Sequence, residues 1–289
     1  MAGLLDGMEA FGLGEMSSED IFTDPKAKEA ALKAKTEVEK KFVEEDFLFE
    51  KTYECPVCNK SFKEHTLRTG KARLLKTDID LRPTFEGIEP LKYDVVQCKE
   101  CGFTALTRFF LPMTVAQRRS ILEKVTPNFK KADLKKPDPE GDTYSFEDAV
   151  SRYKMALVNA IVKTAKASEK AYICLRGGWL CRSYAESMQE QATDEAKIKE
   201  IHELEDEFLK NAYEGFTAAR QNESFPMCGM DESTLDYLLA TLAVRLGQYA
   251  VASRLISTLL ISPNCNSRTK DRARDLKDEL LRLQKESKQ

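Results

Sequence analysis

Cys55-Pro56-Val57-Cys58 and Cys98-Lys99-Glu100-Cys101 are the two stretches of this chain whose residue types and spacing can do chemistry. In a Cys-x-x-Cys pair one tight turn aims two thiolates at one ion, and two such pairs supply the four soft ligands of a tetrahedral site. Pro56 follows Cys55, and Gly102 follows Cys101, where a metal knuckle needs a residue that tolerates a positive φ. Cys55, Cys58, Cys98 and Cys101 are therefore expected to share one ion, zinc in the first instance. Iron is the chemical alternative, because a rubredoxin-type centre uses the same two knuckles.

About forty residues separate Cys58 from Cys98, against roughly 15–20 in a compact site of this kind. Thr66 to Thr77 mixes β-formers with basic residues, and Tyr93-Asp94-Val95-Val96 alternates into Cys98, so both ends of the excursion are predicted to be strands. Pro83, Gly87 and Pro90 break its middle into turns. Residues 51–106 are thus expected to form one ribbon with an elaborated hairpin. Alternation along paired strands would bring Arg68, Lys71 and Arg73 toward the acidic pair Asp78 and Asp80, with Tyr93 close by. That set is a candidate polar face for a phosphate, a carboxylate or an acidic peptide. The plainer reading is a solvated surface with ion pairs worth about 0–1 kcal/mol each.

The elements around this centre follow from punctuation and period. Residues 1–23 place Leu4, Leu5, Met8, Phe11 and Leu13 on one helical face, but four glycines oppose a free-standing helix, so the segment reads as a tail or a docking arm. Asp24-Pro25 starts a helix predicted to run to about Phe47, giving an N-terminal helical segment over 24–50. Thr114-x-x-Gln117 has the form of a capping box for a helix through Val125. A connecting helix and a proline-punctuated linker fill 107–144. From 145 to 289 the pattern is helical throughout, with starts at Ser145, Ser168 and Thr193 and shorter helices near 232–246, 249–261 and 267–286. Gly177-Gly178-Trp179 lies mid-helix, where each glycine costs about 1 kcal/mol relative to alanine unless a close helix crossing requires it. Leu246-Gly247-Gln248-Tyr249-x-x-Ala252, followed by Ile256, Leu259 and Pro263, resembles the middle of a tetratricopeptide repeat (TPR).

Composition narrows the function classes. The net charge is −3 and 42% of the 289 residues are hydrophobic. Residues 1–50 carry six Lys and Arg against thirteen Asp and Glu, while 55–101 carry nine against seven. With no strongly basic segment, nucleic-acid binding is not favoured. No apolar run is long enough to span a membrane, and no secretory signal is predicted. Eight dilute cysteines, four of them in metal spacing, point to a reducing compartment, the cytoplasm. Cys174 and Cys181, seven apart, are expected on one buried helix face, and Cys228 and Cys265 in exposed loops. Of the two histidines, His65 finds no vacancy beside four cysteines, and His202 lies on a charged helix face. No phosphate loop, catalytic triad or open metal position is present, so an enzyme is not expected.

Tyr53-x-Cys55-Pro-x-Cys58, Arg68, Arg73, Asp78-x-Asp80 and Pro90-Leu91-x-Tyr93-Asp94-Val95-x-x-Cys98-x-x-Cys101-Gly102-Phe103 are joined downstream by Ala171-Tyr172, Trp179-Leu180-Cys181-Arg182 and Tyr237-Leu238 to Arg245-Leu246-Gly247. This set resembles the bacterial family catalogued as domain of unknown function 2225, over about residues 48–262. The resemblance implies a zinc ribbon joined to TPR-like helices in a bacterial cytoplasmic protein, and implies no catalytic residues. The expected fold class is α+β: a small β zinc ribbon with a long hairpin insertion, then an all-α TPR-like domain of helical hairpins. The expected function is a zinc-binding adaptor whose helical domain takes a protein or peptide partner. Nucleic-acid or transcription-machinery binding through Arg68, Lys71, Arg73 and Lys76 is one alternative, and rubredoxin-like electron transfer is the other.

Overall fold

Each cysteine pair lies in the turn of its own antiparallel strand pair. The computed structural model describes residues 43–130, 143–190 and 194–286. β1 (Leu48–Glu54) pairs with β2 (Ser61–Leu67), from Leu48 opposite Leu67 to Glu54 opposite Ser61, and the turn between them carries Cys55 and Cys58. β3 (Leu74–Thr77) pairs with β4 (Pro83–Phe85), with an irregularity between Leu74 and Lys76. β5 (Val95–Gln97) pairs with β6 (Thr104–Leu106) around the turn that carries Cys98 and Cys101. The described strands thus make three separate two-stranded sheets, not one elaborated hairpin. The cause is local. Strand β2 stops at Leu67 because the chain then turns: Lys71 N–H closes onto Arg68 O and Gly70 takes a φ of +77°, so Thr66–Thr77 is split. Residues 24–42 of the expected N-terminal helix lie outside the described residues, as does the arm at 1–23. Glu44–Phe47 is a single 3-10 turn, and residues 48–50 open β1 because they pair with β2.

Seven helices follow among the described residues: α1 (Val115–Lys124), α2 (Phe146–Val162), α3 (Ala167–Glu190), α4 (Glu195–Asn222), α5 (Glu232–Arg245), α6 (Tyr249–Ile261) and α7 (Ser267–Glu286). The capping box at Thr114 and Gln117 is formed, and the Ser145 hydroxyl accepts from the Asp148 N–H to start α2. Ser168 does not cap α3. The helix already begins at Ala167, and the Ser168 hydroxyl is bound to Glu223 instead. Asp194 caps α4, accepting from Ala196 N–H; Thr193 lies outside the described residues.

The glycines in α3 are where α4 crosses. A Cβ on Gly178 would stand 2.7 Å from Leu209 Cδ2, and one on Gly177 would stand 3.0 Å from the Phe208 ring. Close approach, not flexibility, is what those glycines supply. Toward the C-terminus α5 packs on α6, α6 on α7, and α5 also on α7. Gly247, at φ +69°, turns the chain from α5 into α6, and Ala252 is fully buried just beyond it.

Strand period then divides the core. In β5, Val95 joins the large helical core while its neighbour Val96 joins a second cluster around the cysteines. In β6, Leu106 and Ala105 divide in the same way. Side chains alternate across a strand, so one two-stranded sheet serves both cores at once. Burying a side chain of this size contributes about 1.5–3 kcal/mol. The residues around the cysteines and the helices are therefore joined through the backbone of β5 and β6.

Candidate metal centre

The two knuckles repeat one backbone pattern. In the first, Asn59 N–H donates to Cys55 O (2.8 Å) and Cys55 N–H to Lys60 O (3.0 Å); in the second, Gly102 N–H donates to Cys98 O (2.9 Å) and Cys98 N–H to Phe103 O (2.8 Å). The residue after each second cysteine takes a positive φ, +58° at Asn59 and +76° at Gly102. Asparagine tolerates that region through its short polar side chain, and glycine takes it without a Cβ penalty. Gly102 is further constrained, because a Cβ there would lie 2.5 Å from Phe129 Cγ. The N–H groups of Val57 and Cys58 point at the Cys55 sulfur, and those of Glu100 and Cys101 at the Cys98 sulfur. Such converging N–H groups favour a thiolate.

Cys55, Cys98 and Cys101 are buried and Cys58 is half-buried. All four sulfurs lie within 4.8 Å of one another. The shortest separations cross between knuckles, Cys55 to Cys101 and Cys58 to Cys98, both 3.6 Å. A tetrahedron of sulfurs bound at 2.3 Å has edges of about 3.8 Å, so this donor set fits a single tetrahedral metal ion. The electrostatics agree. Hydrogen bonds from the Cys101 and Cys55 sulfurs pull the Cys98 thiol well below its usual value, while the same crowding from Cys55 and Cys98, with burial, pushes Cys101 up. Four thiolates this close repel one another, and a divalent cation removes the conflict.

Helices hold the knuckles from behind. Arg118 on α1 donates Nε–H to Val57 O (2.8 Å), Thr126 donates Oγ–H to Cys101 O (3.1 Å), and Asn159 on α2 donates Nδ2–H to Gly102 O (3.3 Å). Lys60 and Glu100 tie one knuckle to the other at 2.9 Å across the surface.

The six residues of the candidate polar face do not gather into one cluster. Arg68 Nε donates to Leu48 O (2.8 Å), Arg73 pairs with Glu86 (3.5 Å), and the Lys71 side chain is exposed. The Tyr93 hydroxyl donates to Glu44 (2.8 Å) and accepts from Tyr144 N–H (3.3 Å). Asp78 and Asp80 are brought together, but by a different basic set. Asp80, buried, accepts from Arg182 (3.1 and 2.7 Å) and from Trp179 Nε1 (3.1 Å) on α3. Asp78 accepts from Arg82 Nε at 2.7 Å. Neither Arg82 nor the pairing of Arg182 with Asp80 belongs to the polar set expected from the sequence. The available signal was the three-residue spacing of Trp179 and Arg182, which puts both on one helix face.

Elsewhere Cys174 and Cys181 are buried as expected, and burial pushes each thiol up to about 12. Cys265, expected to be exposed, is buried against the helical core, and Cys228 is half-buried with its thiol donating to Ser168 O. His65 stacks edge-on against Tyr144, and His202 meets the buried Glu205 carboxylate at 3.2 Å. No helix among the described residues is long and apolar enough to cross a membrane. No curated protein and no solved structure matches the chain. The family model for uncharacterized proteins conserved in bacteria (DUF2225) matches residues 48–280, well over half of the sequence, and the chain belongs to that family.

Proposed function

We propose that this protein is a cytoplasmic zinc-binding adaptor, in which a zinc ribbon is held closed by Cys55, Cys58, Cys98 and Cys101 and a TPR-like helical domain takes a peptide or protein partner. The observation that carries the structural role of the metal is the enclosed four-sulfur set, with the sulfurs within 4.8 Å of one another and three of the four cysteines buried. Four protein thiolates fill a tetrahedral ion, which leaves no position for water or substrate, so the metal contributes folding energy rather than catalysis. A site that requires reduced cysteines supports a reducing compartment.

For the helical domain, support comes from the stacking of α5, α6 and α7 with contact between α5 and α7, and from a groove of about 420 Å³ lined by those two helices. Leu242 and Val244 of α5 and Leu276 and Leu283 of α7 line it, with Ile79 and the charged Asp80, Arg182, Arg245, Asp275 and Glu279. A groove of this size, with apolar side chains set among charged ones, suits a side chain of an extended or helical peptide.

Peptides selected from a displayed random library on the metal-loaded protein test this reading. Enrichment on the wild type that is lost on Leu283→Arg supports it. Equal enrichment on both proteins, or none on either, removes the groove from the account.

A further inference from the structure

A second cleft, also of about 420 Å³, lies against the back of the second knuckle, and neither the metal site nor the α5–α7 groove uses it. Its floor is apolar, with Phe129 from the segment after α1 and Met155 from α2. Phe129 is the ring that abuts Gly102, so the cleft shares a wall with the knuckle. Gln97, 6% exposed, also lines it, with its side-chain amide donating to Thr104 Oγ1 at 3.2 Å.

The rim has a charge the floor does not answer. Lys99, Lys124 and Lys130 line the cleft and are exposed; Lys99 also acts on the Glu50 carboxylate, while Lys124 and Lys130 form no ion pair with a carboxylate among the described residues. Arg152 lines it too, but its guanidinium is committed to Glu64 at 3.1 and 3.2 Å. Asp148 is the single acidic residue among the described lining residues. The three ammonium groups set positive charge around an apolar pocket, and an anion with an apolar body answers that charge while covering the floor. Pockets of roughly 300–1,000 Å³ with mostly apolar walls and a few polar groups are the usual form of small-molecule sites.

We propose that this cleft binds a small amphiphilic anion, its carboxylate or phosphate on Lys99, Lys124 and Lys130 and its aliphatic or aromatic body on Phe129 and Met155. The assignment is independent of any partner of the helical groove. Lysine suits it, as a mobile point charge that serves either anion.

Isothermal titration of the metal-loaded protein with octyl phosphate, octanoate, 1-octanol, inorganic phosphate and triglutamate tests the proposal. One octyl phosphate or octanoate is expected to bind per chain, and the tighter of the two identifies the head group. Octanol and inorganic phosphate are expected to bind at least about tenfold more weakly, the worth of one charge-assisted contact or its apolar counterpart. Lys124→Glu with Lys130→Glu, both at exposed positions, is expected to weaken the anions about tenfold or more at unchanged metal content and melting temperature, with Lys124→Arg retaining binding. Octanol binding as tightly as octyl phosphate, an unaffected double variant, or no heat with either anion would overturn it. Triglutamate binding as tightly as octyl phosphate would also overturn it, in favour of an acidic peptide.

Discussion

Arg82 and Glu186 meet across 104 positions of sequence, the Arg82 terminal nitrogens donating to the two Glu186 carboxylate oxygens at 2.9 and 2.6 Å. Arg82 is only 1% exposed; its Nε is bound to Asp78 and its Nη1 also to Ser183. The excursion between the cysteine pairs is therefore a clasp on α3. Asp80 completes it through Trp179 and Arg182, and the Tyr237 hydroxyl of α5 donates to Ile79 O at 2.8 Å. This accounts for the wide spacing of the two pairs. The chain leaves the first knuckle, reaches the helices, and returns.

Replacing Arg82 with Met is expected to destabilise the protein by about 3 kcal/mol, because it removes the buried guanidinium that joins Asp78, Ser183 and Glu186, leaving Asp78 only the longer pairs to Lys76 and Arg182. Urea unfolding followed by far-ultraviolet circular dichroism reads the change. A loss below about 1 kcal/mol, the scale of an exposed pair, would mean the clasp is incidental.

Gly102→Ala combines a left-handed backbone with a collision against Phe129. The backbone term alone costs about 1–2 kcal/mol. Metal affinity, measured by competition with a chromophoric chelator, is expected to fall about tenfold or more. Adding Phe129→Ala should restore part of the loss and not all of it, since the φ of +76° remains unfavourable.

Acid stability should show the Glu147–Lys197 pair. Burial acts to raise Glu147, but the hydrogen bonds from Lys197 and Tyr184 outweigh it and hold the carboxyl at about 2, down from 4.5. A depressed carboxylate stabilises the fold above its unfolded value and loses that contribution as pH falls through its folded value. The contribution is therefore complete above pH 4.5 and disappears toward pH 2. The Glu147 side chain is 38% exposed, so solvent screening keeps the effect within about 1 kcal/mol. Glu147→Gln should flatten the stability–pH curve in that window and leave it unchanged in slope above pH 6.

Much of this was legible from local signals. Cys-x-x-Cys spacing and Gly102 specify the knuckles, because one turn fixes both the ligand directions and the φ that follows them. The capping box at Thr114 and the start at Ser145 are likewise local hydrogen-bond patterns. The close crossing at Gly177-Gly178 could be read from the cost of glycine in a helix. What could not be read was long-range pairing. Asp80 and Arg182, Glu64 and Arg152, and Asp94 and Arg176 are joined only by the tertiary fold, and no spacing rule links them. The division of Thr66–Thr77 into two strands is a local matter by contrast, set by the turn at Arg68–Lys71 with Gly70 at φ +77°. Cys265 looked like a loop thiol, and burial against the helical core is what closes it off.

Removing the metal should be felt in the helices, because Val95 and Val96 face different cores from adjacent positions. Chelation is expected to lower the midpoint of helical melting by about 10 °C or more while sparing most of the helical signal at room temperature. An unchanged midpoint would show that the two cores are energetically independent.

The most direct test of the closed metal centre is elemental analysis, with a visible spectrum, of protein purified without added metal. One zinc per chain, no colour, and loss of that zinc in Cys55→Ser is the expected result. One iron per chain with a red, bleachable spectrum would make the centre redox-active and contradict the adaptor reading. A folded chain carrying no metal would contradict the structural role assigned to the four cysteines.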